Sequence, residues 1–408
     1  PWSRYVYKRQ ALVASWLADR PHGRYDDAVE RLLDVRDCIH LVAGKDANRL
    51  LSPYQPKVAA MLGLADPTLP QGEREAKSVD DLQTLLARLG RQIAFSLDAT
   101  ASRAGHSLTH EKPRFAFFQL AKPWAHGKRE APKFELLAPG IAKHEGEVVL
   151  APGVDPAADA TLALRVGVAA AESRLPIAPA TLNNLRRCPI RDSVWDKESR
   201  ELFVRLLECS ESLLSVWEEL DFVDIPGRWI PEWLGVRNRP SASAAHRYTI
   251  DRHMVEVVTR LGRMSPSGTP YDDAHYHALL LAGILHDIGK RPGVRDHAAE
   301  GARHAGAILK RMGYSADTVR WVTVLVREHL TLSDYATGRN PNDPVVGDDL
   351  AACVDRDPVL LDMLFDLTRA DGSSLGATAG ETIGKQYGWS RWRESLVRTM
   401  YAAARYHM

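Results

Sequence analysis

The chain has 408 residues, 45% of them hydrophobic, and its 53 basic and 52 acidic side chains leave a formal net charge of +1. That length suffices for two or three packed domains, and so even a balance excludes nucleic-acid binding driven by bulk charge, though not a local basic patch. Aromatic residues, at 7%, offer no base-stacking platform, and no apolar run approaches the ~20 residues needed to span a bilayer.

Cys38, Cys188, Cys209 and Cys353 are far apart and form no CxxC pair, so they read as reduced thiols of a cytoplasmic protein. No signal peptide is visible. The chain starts Pro1-Trp2-Ser3 without an initiator Met and stops at Met408 beside a helical pattern, which reads as a fragment. Residues 1–10 are set aside from fold reasoning.

Residues 11–104 predict a helical domain. Val29, Leu32, Leu33, Val35, Ile39 and Leu41 recur at helical spacing with charges between them. Ser78-Val79-Asp80-Asp81 has the composition of a helix start, and Leu82, Leu85, Leu86, Leu89 and Ile93 supply the apolar stripe that follows. Over 105–180 the pattern changes. Phe115–Leu120, Phe134–Ala138, Glu147–Leu150 and Leu162–Val166 read as short strands between Gly and Pro turns. They predict a small β-rich insertion serving as a lid or docking surface, with an irregular structural segment as the alternative.

Residues 181–240 predict a helical connector, in which Leu202, Phe203, Leu206, Leu207, Leu213, Leu214 and Trp217 mark one or two amphipathic helices. A polar break at Asn238–Ser243 follows, and 241–408 holds five helical candidates. The expected class is therefore mainly α: a helical domain, a small β-rich insertion, then an all-α domain. No solenoid repeat is present.

Within that last domain an apolar helix, Leu279–Leu285, runs directly into His286-Asp287-Ile288-Gly289-Lys290. Burying the helix holds two polar side chains at a core edge, where they are costly unless something binds them. A divalent metal is the natural partner, because imidazole and carboxylate are its usual ligands. Adjacent helical residues point roughly 100° apart, so His286 and Asp287 can approach one site from neighbouring directions. His253, His297, His329 and Asp371 each fall on a separate predicted helix and can supply further ligands. A carboxylate at a helix C-terminus opposes the helix dipole, so Asp371 itself asks for a nearby cation. A single His or Asp is more often structural, and His246, His275, His277 and His304 are read that way.

From Tyr248 to about Tyr401 the chain resembles the HD-superfamily metal-dependent phosphohydrolases. More narrowly, it resembles the HD domain of the bifunctional PII uridylyltransferase/uridylyl-removing family. The matching residues are His246–His253, Leu285–Lys290, Asp296-His297, Leu325–Leu330, Thr368–Asp371 and Trp392–Val397. Upstream, Leu33–Gly44 and Asn48–Leu51 are similar to the helical segment that follows that family's nucleotidyltransferase domain. Two departures stand out. Arg295 precedes Asp296-His297 where the family has a small residue, and Pro292 lies nearby. Residues 1–28 also carry neither the Gly-Ser loop nor the Asp-x-Asp pair of a nucleotidyltransferase, and the fragment reading expects that family's nucleotidyltransferase and ACT domains to be missing from this stretch of chain.

The resemblance implies removal of UMP or AMP from a tyrosine of the PII nitrogen-signalling protein, with no nucleic-acid or membrane partner. The residues suit that reaction. His253, His286, Asp287 and Asp371 are expected to hold one Mn²⁺ or Mg²⁺ ion, and His297 and His329, with Asp287 bridging, a second. Several imidazole ligands lean away from Mg²⁺ alone. Asp287 and Lys290 are the expected catalytic residues, Lys290 as a point charge toward phosphate oxygens, or else as a solvated lysine past a helix end. Two rivals remain. One is an HD phosphohydrolase of free nucleotides or cyclic dinucleotides, the latter weakened by the lack of a Gly-Tyr-Pro triplet after the His-Asp pair. The other is a non-catalytic regulatory scaffold.

Overall fold

The computed structural model describes residues 23–109, 134–190, 194–241, 248–374 and 389–408. Two hydrophobic cores organise them. The smaller belongs to a helical arm of α1 (Gly23–Ala43), α2 (Gln55–Met61) and α3 (Gln71–Thr109). Ala28, Val35 and Ile39 of α1 meet Leu82, Leu85, Leu89 and Ile93 of α3 around Val58 and Ala59. The predicted stripe on α3 is thus the face that seals this core. The predicted start at Ser78 is not a start, because α3 runs through it. The Ser78 hydroxyl donates to the Glu75 carbonyl at 2.9 Å, which satisfies it inside the helix instead of at a cap.

A three-stranded antiparallel sheet follows, β1 (Glu135–Ala138), β2 (Ile141–His144) and β3 (Glu147–Leu150). Two of the predicted strands are here. Phe115–Leu120 lies outside the described residues, and β2 escaped prediction because it is only four residues between glycine turns, Gly140 and Gly146, both at positive φ. Leu162–Val166 is not a strand. It opens the helix α4 (Leu162–Ser173), whose residues from Leu162 to Ala171 are buried except Arg165. A helix buried on all sides loses its periodicity and reads like a buried strand. The sheet packs on α4, with Ile141 and Val148 fully buried in the larger core.

The connector is α5 (Pro179–Leu185), α6 (Lys197–Glu208), α7 (Ser210–Phe222) and the short α8 (Ile225–Trp229). Phe203, Trp217 and Trp233 form its aromatic centre, Trp217 and Trp233 meeting edge-on at 5.2 Å. Beyond it the described residues form eight helices where the periodicity suggested five: α9 (Ile250–Val258), α10 (Asp273–Leu285), α11 (His297–Met312), α12 (Ala316–Glu328), α13 (Thr331–Gly338), α14 (Pro344–Cys353), α15 (Pro358–Ser373) and α16 (Arg391–Tyr406). The extra ones are short, and α13 starts two residues after α12 with no Gly or Pro to mark the break.

The apolar helix α10 is the axis of this domain. Ala278 to Leu285 are all buried, and α6, α9, α12 and α15 pack around them. Each fully buried Leu or Ile contributes roughly 1.5–3 kcal/mol, so the C-terminal end of α10 is among the most firmly placed points in the molecule. Among the described residues no helix is long and apolar enough to cross a membrane.

Candidate metal centre

The C-terminal end of α10 is where five helices converge. His253 comes from α9, and His286 caps α10 with Asp287 following it. His297 is the first residue of α11, His329 caps α12, and Asp371 sits in the last turn of α15.

Their ligand atoms form two triads, each with all its atoms within 4.8 Å of one another: His253, His286 and Asp371, then Asp287, His297 and His329. Asp287 faces both. Its Oδ2 lies 3.7 Å from His286 Nε2 and 4.0 Å from His253 Nε2, while its Oδ1 lies 3.5 Å from His297 Nε2 and 3.7 Å from His329 Nε2. Asp371 Oδ1 is 2.9 Å from His253 Nε2 and 3.9 Å from His286 Nε2. His253, His286, Asp287 and His329 are buried, whereas the side chains of His297 and Asp371 are 25% and 19% exposed and line the mouth.

The helix ends themselves orient the rings. His286 Nδ1 donates to the Gly283 carbonyl at 2.9 Å, and His329 Nδ1 to the Val326 carbonyl at 2.7 Å. These are last-turn carbonyls that a terminating helix leaves without intrahelical partners. The same bond fixes each tautomer and turns the Nε2 lone pair inward. His253 Nδ1 lies 3.3 Å from the Ser374 carbonyl.

Burial holds the His286 imidazole down at about 4, so it is neutral near pH 7 and free to act as a ligand. Burial likewise lowers His297. For Asp287 burial opposes ionisation, but the His286 imidazole, which is charged at the low pH where this carboxyl titrates, and the Lys290 ammonium outweigh it and keep the carboxyl well below the usual range. His253 is disfavoured as a cation by burial, yet its hydrogen bond to Asp371 and the charge of that carboxylate raise it above an ordinary histidine. Asp371 is correspondingly lowered.

These groups fit a cation. Among the described residues, His286 Nε2 and His297 Nε2 are buried without a hydrogen-bond partner, and the atoms opposite them are carboxylate oxygens, which are also acceptors. An unmatched buried acceptor costs about 1–3 kcal/mol, and two facing acceptors repel. A divalent ion between them resolves both, and nitrogen with carboxylate donors suits a transition ion.

Lys290 places its ammonium 3.1 Å from Asp287 Oδ2, 23% exposed at the rim. Arg295 does not keep His297 away. Asp296 caps α11 by accepting from the Ala299 N–H at 2.9 Å, which seats His297 as the first helical residue. His275 and His277 are in the first turns of α10 instead of ahead of it. His275 bonds Asp272 and stacks on Trp321, His277 neighbours Glu208, and His304 neighbours Glu300. His246 lies outside the described residues. The sequence reading missed Gly289 and Gly301, whose backbones touch beside the site. The small-residue stripe Ala298, Gly301, Ala302 and Ala305 on α11 was the available signal.

The chain is similar in sequence to known proteins along most of its length. A family model described as HD domain matches residues 250–357, and one described as GlnD PII-uridylyltransferase matches residues 6–109. The bifunctional uridylyltransferase/uridylyl-removing enzyme of Streptomyces coelicolor is 34% identical over 393 residues, covering 95% of this chain and 43% of that protein. The protein of the same name from Mycobacterium tuberculosis (strain H37Rv) is 32% identical over 403 residues, covering 97% and 45%. The one from Corynebacterium glutamicum is 26% identical over 374 residues, covering 90% and 48%. The chain spans less than half the length of each of these relatives.

Proposed function

Because the chain belongs by sequence to the family of bifunctional uridylyltransferase/uridylyl-removing enzymes, we propose that its metal centre hydrolyses a nucleotidyl phosphodiester, removing UMP or AMP from a tyrosine of the PII signalling protein. The observation that carries this reading is Asp287, one carboxylate whose two oxygens face two clusters of side chains able to hold a metal.

His253, His286, Asp371 and one oxygen of Asp287 would hold one Mn²⁺ or Mg²⁺ ion, and the other Asp287 oxygen with His297 and His329 a second. Such ions supply Lewis acidity toward phosphoryl oxygens and lower the pKa of water into the neutral range. The partly exposed side chains of His297 and Asp371 define the side from which a phosphate can enter. Lys290, at that rim, is placed to neutralise a phosphate oxygen as charge develops. Water supplies the new P–O bond, the tyrosine C–O–P linkage breaks on the phosphorus side, and the proton ends on the phenol. With a phenol pKa of about 10, that leaving group departs without a dedicated general acid.

The test is release of UMP or AMP from nucleotidylated PII by the purified chain, with and without a chelator. Metal-dependent release is expected. Undiminished activity after exhaustive chelation would overturn the metal mechanism. Turnover of free nucleotides but not of modified PII would transfer the same centre to a small-molecule phosphohydrolase. Metal binding with no phosphodiester hydrolysis at all would leave a scaffold.

A further inference from the structure

The helical arm reaches the metal centre through one side chain. Arg91 of α3 grips the start of α9, donating to Asp251 Oδ2 at 2.7 Å, Asp251 Oδ1 at 3.2 Å and Thr249 Oγ1 at 3.0 Å. The Arg91 guanidinium is also 3.5 Å from Asp221 Oδ2 of α7. Asp251 is 1% exposed and further accepts the Asn238 and Arg252 backbone N–H groups, both at 2.9 Å. Asp221 is held in turn by Arg237 at 2.9 Å and by the Trp233 indole N–H at 3.3 Å.

The location matters because α9 is only nine residues long and Thr249, its N-cap residue, makes no side-chain cap bond. So short a helix is marginal by itself and takes its position from what grips its ends. The C-terminal part of α9 is fixed by apolar packing of Met254, Val255, Val257 and Val258. The first turn is held by the Arg239 carbonyl, which accepts the Ile250 N–H at 2.8 Å, by Arg252 donating to Glu218 at 2.7 Å, and by Arg91, whose guanidinium bonds both Asp251 oxygens and Thr249; His253 stands in that turn, two residues after Asp251.

We propose that Arg91 is a positioning residue for the metal centre: by clamping Asp251 and Thr249 it sets the height and rotation of His253 against Asp371 and His286. This rests on the metal-centre reading above and extends it to a residue of the arm. Among the described residues, the Arg239–Asp80 ion pair and the stacked rings of Phe95 and Phe222, 4.0 Å apart, also join the arm to the rest of the molecule. None of those side chains touches α9; Arg239 meets the helix through its backbone carbonyl, which accepts the Ile250 N–H at 2.8 Å and which Arg239→Ala retains.

The experiment compares Mn²⁺ titrations of the full chain as wild type, Arg91→Ala, Arg91→Lys and Arg239→Ala, with melting curves for each. Arg91→Ala is expected to lower affinity for one of two Mn²⁺ ions by roughly tenfold or more, the loss typical when a group supporting a metal ligand is removed. Hydrolysis should lose kcat with KM little changed. Arg91→Lys, which keeps the charge but cannot reach Asp251 and Thr249 together, should restore part of the affinity. Arg239→Ala should bind Mn²⁺ as wild type does. Wild-type affinity in folded Arg91→Ala overturns the proposal; should that variant not fold, wild-type affinity in Arg91→Lys overturns it. An equal loss in Arg239→Ala overturns it too, since any loosening of the arm would then suffice. Altered Mn²⁺ binding in the Arg91 variants supports it even where modified PII is not hydrolysed, which separates it from the substrate reading. A wild-type chain that binds no Mn²⁺ removes both.

Discussion

Gly289 lies against Gly301 so closely that a Cβ on Gly289 would stand 2.3 Å from the Gly301 nitrogen and 2.3 Å from the His297 carbonyl oxygen. Both obstacles are backbone, so neither can swing aside. The contact sets α11 against the turn after α10 and thereby delivers His297 to Asp287. Gly289→Ala is expected to push α11 outward, destabilise the fold by about 1–3 kcal/mol as overpacking does, and weaken binding of one of two Mn²⁺ ions. Gly301→Ala meets nothing nearer than Val326 Cγ1 at 3.2 Å, followed by the His286 oxygen at 3.4 Å and the Gly289 nitrogen at 3.5 Å, and should be much milder. Thermal melts and Mn²⁺ titrations of the two variants check the contrast; equal effects would show that the contact does not position His297.

Asp287 belongs to one triad through Oδ1 and turns Oδ2 toward the histidines of the other, so Asp287→Ala should damage both proposed ion sites together. Losing several kcal/mol of transition-state stabilisation corresponds to a fall in kcat on the order of 10³-fold. Lys290→Gln should leave Mn²⁺ binding intact and reduce kcat by a smaller factor, on the order of 10- to 100-fold. Single-turnover hydrolysis paired with Mn²⁺ titration separates the two; Lys290→Gln at full rate would return Lys290 to the role of a solvated partner of Asp287.

Metal loading should raise stability and do so more strongly at higher pH. At about 100 times Kd of free ion the gain is about 2.7 kcal/mol. Asp371 holds His253 above the usual histidine range, so below that raised pKa the ring is protonated and must release its proton to act as a ligand. Affinity therefore rises with pH through the His253 titration. Melting temperatures with Mn²⁺ and with chelator, from pH 6 to 8, read this directly. A metal-induced shift in melting that is independent of pH would argue against His253 as a ligand.

Glu219 gives a pH effect remote from the metal. Burial pushes it up to about 7, the Ile177 N–H at 2.8 Å pulls it down somewhat, and Glu147 pushes it up again. The folded chain therefore binds this proton more tightly than the unfolded chain, whose glutamate titrates near 4.5. Between about pH 4.5 and 7 this group's contribution to stability falls as pH rises, by an amount on the order of 1–3 kcal/mol in total. Glu219→Gln should remove that slope and be the more stable protein at pH 8. Chemical unfolding at a series of pH values tests it, and identical slopes in both proteins would refute it.

The sequence displayed the centre unusually well because helix ends carry it. An apolar run ending in His286-Asp287 says where the core stops, and His329 and Asp371 repeat that pattern at other helix ends. What the sequence hid was of two kinds. Burial on every side made the start of α4 at Leu162 look like a strand, since periodicity vanishes when no face meets water. Pairing across distance was also invisible: nothing near Arg91 announces Asp251, 160 positions later, nor does Gly289 announce Gly301. That Asp287 faces both clusters was foreseeable as chemistry, while the assignment of each oxygen needed coordinates.

The six side chains of the centre come from α9, the end of α10, α11, α12 and α15, and no two neighbours in the chain complete either triad. The triad of Asp287, His297 and His329 can close once the end of α10, α11 and α12 have met, whereas the triad of His253, His286 and Asp371 closes only when α15 has docked as well. An ion in that last triad would be a certificate of finished assembly, and a slip of α15 would release it while the rest of the domain stayed folded.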